Sequence, residues 1–207
     1  MPPRPRYRFR RIPLGRPWCE ALELANGRRL IMRPIEAGDA DMLRKSFGRL
    51  TLEEIRYRFL HPITELTPEY AQQLTDLDGR TAFALVFVEA LPPARALIGG
   101  VGRVVVEDDR AEFALIVGRE INGFGLGSFL LQRLTEWCRK RGLSMIFGEV
   151  MLENHRMLEL TKRLGFQCEF DPDNPQVIRV WKALAAGATK APGPSITTRS
   201  ARPPRSL

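Results

Sequence analysis

A glycine-spaced segment, Asn122–Ser128, constrains the fold of this chain more than any other feature, because it joins two stretches of different periodicity. The preceding stretch, 110–117, is a short and mostly apolar run with the length and composition of a buried strand. The following stretch carries apolar residues at helical spacing and is closed by Gly142. The sequence therefore predicts a strand, a tight turn and a long amphipathic helix, whose apolar stripe is Leu126, Phe129, Leu130, Leu134, Trp137 and Cys138.

The alternate glycines of this turn, Gly123, Gly125 and Gly127, would let backbone N–H groups approach an anion closely. The positive end of the helix dipole lies at the same place, so the expected ligand carries a phosphate or pyrophosphate. Glycines also serve ordinary turns and caps. The segment lacks the Gly-Lys-Ser/Thr ending of a nucleoside-triphosphatase loop, and its third glycine comes one residue too early for G-x-G-x-x-G. Both of those classes are disfavoured.

The rest of the central chain alternates strand and helix patterns. Thr51 and Glu54 have the spacing of a capping box, and Thr67-Pro68 has the pattern of another helix start. We therefore predict an α/β fold with a mixed sheet, in one domain over 28–184. Its further elements are strands at 28–35, 81–89, 96–107, 145–152 and 177–182, and a helix at 154–164.

Charge is concentrated at the two ends of the 207-residue chain. The formal net charge is +8, yet residues 1–16 hold six arginines and 185–207 hold four basic residues, both without an acid. The body between them has 22 basic and 24 acidic residues. Both ends are also rich in proline, so we predict that 1–27 is a largely disordered basic extension and 185–207 a disordered basic tail. Nucleic acid, ribosome or acidic membrane could bind such arms, but we favour solvated tails.

Several classes of protein are excluded by what the sequence lacks. No apolar run approaches the ~20 residues that a membrane-spanning helix needs, and no apolar signal-peptide core follows the basic N-terminus. An Arg-rich targeting peptide stays an open alternative. The three cysteines, Cys19, Cys138 and Cys168, lie far apart, and the two histidines lack metal-ligand spacing. We therefore predict a cytoplasmic protein without a disulfide framework and without a metal site.

Five segments of the chain carry a specific pattern in residues, order and spacing: Ala111–Val117, Asn122–Gly127, Gly148–Val150, Glu153–Leu158 and Arg163–Phe166. Over about 28–184 this pattern resembles the GNAT acetyltransferase superfamily. The resemblance implies a mixed, mostly antiparallel sheet with one splayed parallel strand pair, flanked by helices, and acetyl-CoA as co-substrate. With Arg56–Phe59 included, the closer resemblance is to the acetyltransferase domain of bacterial protein-lysine acetyltransferases that modify acyl-CoA synthetases.

The resemblance also implies roles for individual positions. Backbone groups at 116–118 would pair with the pantetheine amides, and the turn at 123–128 would hold the pyrophosphate. An asparagine would contact the cofactor near its thioester, although asparagine is equally a good helix N-cap and both roles can coexist. The implied cofactor-binding residues are Ile116, Val117, Gly118, Gly123, Phe124, Gly125, Gly127, Ser128 and Asn154.

A general base is needed because only a neutral amine attacks a thioester. For a lysine of pKa ~10.4, deprotonation near pH ~7.4 costs roughly 4 kcal/mol, and a carboxylate can assist it. Glu112 matches the position of the glutamate that the resemblance implies as base; the alternative is a solvent-facing residue paired with Arg103. Glu149 is the second candidate, although we favour a structural acid paired with an arginine there. For His155 we favour an ordinary surface position.

Two positions depart from the pattern of the family. Asn122 stands where Gln or Arg is usual, and Thr161 stands where many members have a tyrosine general acid. The leaving thiolate must then take its proton from water or another group. Arg56 and Arg58 could line an acceptor groove, although solvation of a helix face is the interpretation that we favour.

The sequence thus predicts an acetyl-CoA-dependent N-acetyltransferase that acts by direct attack in a ternary complex. A protein lysine is the favoured acceptor, and a small amine such as a polyamine or amino sugar is the alternative. A non-catalytic acetyl-CoA-sensing module is the competing class, and nucleic acid would bind only through the basic ends. The sequence leaves the acceptor, the acyl chain length and the oligomeric state open.

Overall fold

The computed structural model describes residues 7–60, 63–92, 96–171 and 174–184. Within these residues a single sheet of nine strands carries five α-helices and two short 3-10 turns at Ala37–Asp39 and Arg119–Ile121. The elements are β1 (Phe9–Pro13), β2 (Glu20–Leu24), β3 (Arg29–Pro34), α1 (Ala40–Phe47), α2 (Leu52–Phe59), α3 (Pro68–Thr75), β4 (Ala82–Glu89), β5 (Ile98–Glu107), β6 (Arg110–Val117), α4 (Leu126–Lys140), β7 (Met145–Met151), α5 (His155–Arg163), β8 (Gln167–Phe170) and β9 (Val177–Ala183).

The strands lie in the order β1-β2-β3-β4-β5-β6-β7-β9-β8. Neighbouring strands are antiparallel except for β6 and β7, which are parallel. This arrangement confirms the predicted mixed, mostly antiparallel sheet with one parallel pair. The connection from β6 to β7 is the glycine turn followed by α4, since parallel neighbours require a crossover.

Two helical layers cover the two faces of the sheet. The long helix α4 packs closely on one face at Gly102, where a Cβ atom would lie 2.7 Å from the side chain of Leu130. The shorter helices α1, α2 and α3 lie on the other side and form a second apolar cluster, built from Phe47, Ile55, Phe59, Leu66, Tyr70, Ala71 and Leu74. A cavity lies between this second layer and the sheet.

The predicted helix starts are confirmed. The Thr51 hydroxyl accepts the Glu54 N–H at 3.2 Å, and the Glu54 carboxylate accepts the Thr51 N–H at 2.8 Å. The Thr67 hydroxyl accepts the Tyr70 N–H at 3.2 Å. These caps satisfy donors that no residue of the helix itself can satisfy, and they fix where α2 and α3 begin.

The prediction of disorder over 1–27 is wrong for residues 9–13 and 20–24, because these residues form β1 and β2. The arginines of β1 have carboxylate partners on β2: Arg10 lies 2.5 Å from Glu23, and Arg11 lies 2.6 Å from Glu20. Phe9 packs on the core of α4. Residues 1–16 contain no acid, so their charge alone does not reveal these ion pairs. The acidic partners follow at positions 20 and 23. The predicted tail 185–207 lies outside the described residues.

Two kinds of structure are absent from the described residues. None of the described helices is long and apolar enough to cross a membrane. Likewise, no group of three or more His, Cys, Asp and Glu side chains there could hold a metal ion.

Candidate active site

A gap opens in the sheet where the parallel strands β6 and β7 separate. Only three pairs of residues join the two strands, and they run from Arg110 opposite Met145 to Glu112 opposite Phe147. At Gly148 the strands are still in tight contact, because a Cβ atom there would lie 2.9 Å from the Phe113 carbonyl oxygen. Beyond this point the two chains continue unpaired, and their facing edges can receive an extended ligand.

The edge of β6 offers its backbone to this gap at alternate residues. Gly118 does not contribute, because its N–H donates to the Gly99 carbonyl at 2.8 Å and its carbonyl accepts the Ile121 N–H at 3.1 Å. In an antiparallel pair every second residue directs its backbone N–H and C=O at the neighbouring strand. Ile116 lies two residues before Gly118, so its backbone groups also point to β5. Of the three positions implied for pantetheine, Val117 therefore has its backbone groups on the gap.

The glycine turn has the backbone conformation that an anion site requires. Gly123 and Gly125 adopt left-handed φ angles of 84° and 87°, which side-chain-bearing residues rarely take. Gly125 caps α4, so the N–H groups of the first helical residues have no partner within the helix. The first turn of α4 carries no acidic side chain. The N–H of Gly123 is already donated to the Asn122 side chain at 2.8 Å, so the available donors begin after it.

The N-terminal segment holds this turn in place. The Arg8 N–H donates to the Phe124 carbonyl at 3.0 Å, and the Tyr7 hydroxyl donates to the Gln132 side chain on α4. On the other side, a Cβ atom at Gly127 would lie 3.0 Å from Leu160 of α5, so the two helices pack tightly here. The sequence indicated none of the contacts made by Tyr7 and Arg8.

Glu112 is largely buried and lines a pocket of about 490 Å³ beside the gap. The alternative pairing of Glu112 with Arg103 does not form: Glu112 lies opposite Val105, Arg103 lies opposite Ala114, and no cation among the described residues is within 4 Å of this carboxylate. Burial raises the pKa of Glu112 to about 7; the Glu149 and Glu107 carboxylates add to this effect, and Arg58 and Arg103 oppose it. A carboxyl group that titrates near neutrality is suited to accept a proton from an amine.

Glu149 lines the same pocket but has a structural environment. Its carboxylate lies 3.8 Å from Arg179, which also pairs with Asp171 at 2.9 Å. This matches the alternative of a structural acid paired with an arginine, which we favoured for Glu149.

Asn154 and Thr161 take different positions around α5. The Asn154 side chain accepts the Met157 N–H at 3.1 Å as N-cap of the helix, and it also lines the Glu112 pocket. Thr161 is fully buried and donates to the Leu158 carbonyl at 2.9 Å, so its hydroxyl does not replace a tyrosine acid.

Sequence reasoning missed Tyr57, which lines the pocket and donates to Glu53 at 2.8 Å.

A second, larger cavity adjoins this pocket at Arg58 and Phe59 of α2. It lies between the three short helices and strands β5 and β6, and it holds about 1060 Å³ of space free of protein atoms, part of it open to solvent. The favoured interpretation of Arg56 and Arg58, solvation of a helix face, fits Arg56 but not Arg58. Arg58 lines both cavities, whereas Arg56 is exposed and lies 3.3 Å from Glu153.

Comparison with known proteins agrees with this geometry. The family model described as an acetyltransferase (GNAT) domain matches residues 29–167. Acetyltransferase PA5475 of Pseudomonas aeruginosa is 29% identical over 163 residues, which are 77% of this chain and 86% of that protein.

Two solved structures show the same fold. The GNAT domain of S. lividans PAT has a TM-score of 0.70 at 22% identity, over 81% of this chain and 97% of that one. Spermidine N-acetyltransferase from Vibrio cholerae, in complex with CoA and spermine, has a TM-score of 0.59 at 20% identity, over 75% and 95%. The splayed parallel pair, the glycine turn and the family match together show that this chain belongs to the GNAT acetyltransferase domain family.

Proposed function

We propose that the protein transfers an acetyl group from acetyl-CoA to a primary amine, with Glu112 as general base. The observation that carries this proposal is the position of the Glu112 carboxylate, which lines the pocket where β6 and β7 separate. A carboxylate at this place would meet an amine that approaches a thioester lying in the gap. The raised pKa of Glu112 is consistent with the role.

The residues around the gap fit acetyl-CoA. The pyrophosphate would accept hydrogen bonds from the backbone after Gly123, where the turn conformation and the dipole of α4 favour negative charge. Pantetheine would extend along the edge of β6 at Val117. The thioester would then lie near Asn154, whose cap uses one acceptor and leaves the two N–H donors of its side chain. Each of these assignments is part of the proposal.

The chemistry is a direct transfer. The amine nitrogen forms a bond to the thioester carbonyl carbon, and the proton lost from the nitrogen passes to the Glu112 carboxylate directly or through water. The carbon–sulfur bond then breaks, and the thiolate leaves with the electron pair. Because the Thr161 hydroxyl is already engaged with Leu158, we assign protonation of the thiolate to water. No covalent enzyme intermediate is needed.

The acceptor predicted from the sequence is a protein lysine, and a small amine is the second candidate. The cavity between the short helices and the sheet favours the small amine. Several helices and strands surround it, so a small acceptor could be enclosed there next to the gap. We place the reaction in the cytoplasm, in keeping with the three free cysteines.

The test measures release of free thiol from acetyl-CoA and, separately, binding of acetyl-CoA by calorimetry. We expect acceptor-dependent turnover that falls 10²–10⁴-fold in Glu112→Gln with binding intact. Glu149→Gln is the matched control, since its carboxylate lines the same pocket. Equal losses in both variants would overturn the assignment of the base. Binding without turnover against a lysine-bearing acyl-CoA synthetase and a panel of amines would indicate a sensing module, and absence of binding would refute the proposal.

A further inference from the structure

Two arginines lie near each other in the wall of the larger cavity. Arg58 comes from α2 and Arg103 from β5, and both line this cavity. Arg58 also lines the Glu112 pocket. Their charges act on each other and on Glu112, since each of these groups influences the pKa of another. The pair therefore lies next to the expected reaction centre.

Neither guanidinium has an anionic partner in the described part of the chain. No carboxylate there lies within 4 Å of Arg58 or Arg103, and the buried Nε of Arg103 has no hydrogen-bond partner. Arg58 rests over the ring of Phe59, 4.9 Å from its centroid. Two other partly buried arginines differ. Arg33 binds Asp39 with two nitrogens at 2.7 and 2.8 Å, and Arg133, whose Nε also lacks a partner, pairs with Glu20 and Glu136.

An unpaired charge is costly to bury. Burial lowers the pKa of Arg58 to about 10, with a contribution from the charge of Arg103, and burial also lowers the pKa of Arg103. Glu112 offsets this cost only in part when it is ionised, because its carboxylate does not lie within 4 Å of either guanidinium. Arg58 and Arg103 thus place positive charge in the wall of the cavity without a carboxylate of the described residues in contact with it.

We propose that Arg58 and Arg103 bind a carboxylate of the acceptor, so that the acceptor is an amino acid whose α-amine faces Glu112. This inference rests on the proposed function and narrows its substrate class. A guanidinium matches a carboxylate in shape as well as in charge, and the buried, unpartnered Nε of Arg103 is one donor for it. Next to the Glu112 pocket the two arginines would repel a polyamine, although Glu54, Glu89 and Glu120 line other parts of the cavity.

The remaining walls of the cavity suit the side chain of such an acceptor. Beyond the arginines they are largely apolar and belong to the short helices and the adjacent strands. An amino acid with a large apolar side chain, such as phenylalanine or leucine, would bury that side chain there. The apolar wall residues include Ile35, Leu43, Phe47, Leu66, Leu74 and Ile98.

The experiment compares L-phenylalanine with L-phenylalaninamide, which keeps the amine and the ring but lacks the carboxylate. Thiol release from acetyl-CoA should show kcat/KM about 10–100-fold higher for the acid, the range expected for a buried hydrogen bond to a charged group. Arg58→Gln and Arg103→Gln should each remove that preference. Arg56→Gln is the matched control on the same helix, since its exposed guanidinium lines neither cavity. Unchanged acetyl-CoA affinity and melting temperature would show that the variants are folded.

A carboxylate could instead be carried by the acyl group. Succinyl-CoA with phenethylamine therefore forms a second arm, and an arginine-dependent preference for succinyl-CoA over acetyl-CoA would overturn the acceptor assignment. Equal kcat/KM for acid and amide, or turnover confined to a lysine-bearing protein, would also overturn it. If no amine supports turnover, the proposed function fails separately. Calorimetric binding of phenylalanine in the presence of CoA, lost in Arg58→Gln, would then support the carboxylate site by itself, and no binding would refute it.

Discussion

The replacement Glu112→Gln should stabilise the folded protein above neutral pH although it removes the proposed base. The Glu112 side chain is largely buried beside two other carboxylates, and its pKa is raised from 4.5 to about 7. Glutamine has nearly the shape of the protonated acid but never ionises. The substitution therefore removes the cost of burying a negative charge, and it leaves the packing of the pocket nearly unchanged.

The size and the sign of the effect follow from linkage. Between pH 4.5 and about 7 the folded state keeps the Glu112 proton that the unfolded state has lost, so the wild-type free energy of unfolding falls as pH rises through this window. At 1.36 kcal/mol per pH unit the full interval corresponds to about 3 kcal/mol. We expect Glu112→Gln to match the wild type near pH 4 and to exceed it by about 2–3 kcal/mol at pH 8.

Urea denaturation at pH 4.5, 6, 7 and 8 measures this difference, with Glu153→Gln as the matched control. Glu153 is exposed and pairs with Arg56 at the surface, so its loss should change the free energy of unfolding by less than ~0.5 kcal/mol at every pH. A difference between wild type and Glu112→Gln that does not grow with pH would refute the reasoning. Destabilisation at pH 8 would show instead that the two arginines hold Glu112 ionised.

Three further results are expected. The kcat/KM of the wild type should rise with pH through an ionisation near 7, as the Glu112 carboxyl loses its proton, and this step should be absent from the residual activity of Glu112→Gln. Gly125→Ala, at a φ of 87°, should cost about 1–2 kcal/mol in urea denaturation and weaken acetyl-CoA binding in calorimetry. Gly148→Ala should force β6 and β7 apart, because its Cβ would lie 2.9 Å from a carbonyl oxygen, and should lower stability by about 1–3 kcal/mol. Gly38→Ala, with open space around it, should do neither.

The elements that could be predicted from the sequence are those whose cause is local. The strand, turn and helix around Asn122–Ser128 follow from periodicity and from glycines at left-handed positions, and the helix starts at Thr51 and Thr67 follow from caps a few residues long. Strands β1 and β2 were missed because their stability comes from pairs across a hairpin and from contacts with α4, more than 100 residues away. Composition within a window carries no signal for such contacts.

The alternative for Glu112, a pair with Arg103, could have been excluded from the sequence itself. A two-residue turn at Asp108 and Asp109 sets Glu107 opposite Arg110, and every later pair follows from that register. Glu112 must then lie opposite Val105, and Arg103 opposite Ala114. Counting outward from the turn is enough to separate the two charged residues, because the register of a hairpin is fixed by the length of its loop.

The acceptor side of the proposed site could not be predicted from the register of a hairpin. Arg58 and Arg103 are 45 residues apart on a helix and a strand, and only the packing of α2 against the sheet brings them to one cavity. The sequence pattern around Arg58 looked the same as that around Arg56, yet one guanidinium is buried and the other exposed. In the proposed site the donor would be recognised by backbone conformation, which glycines reveal in a sequence. The acceptor would be recognised by side chains from separate elements, and such side chains can differ among proteins that share a fold.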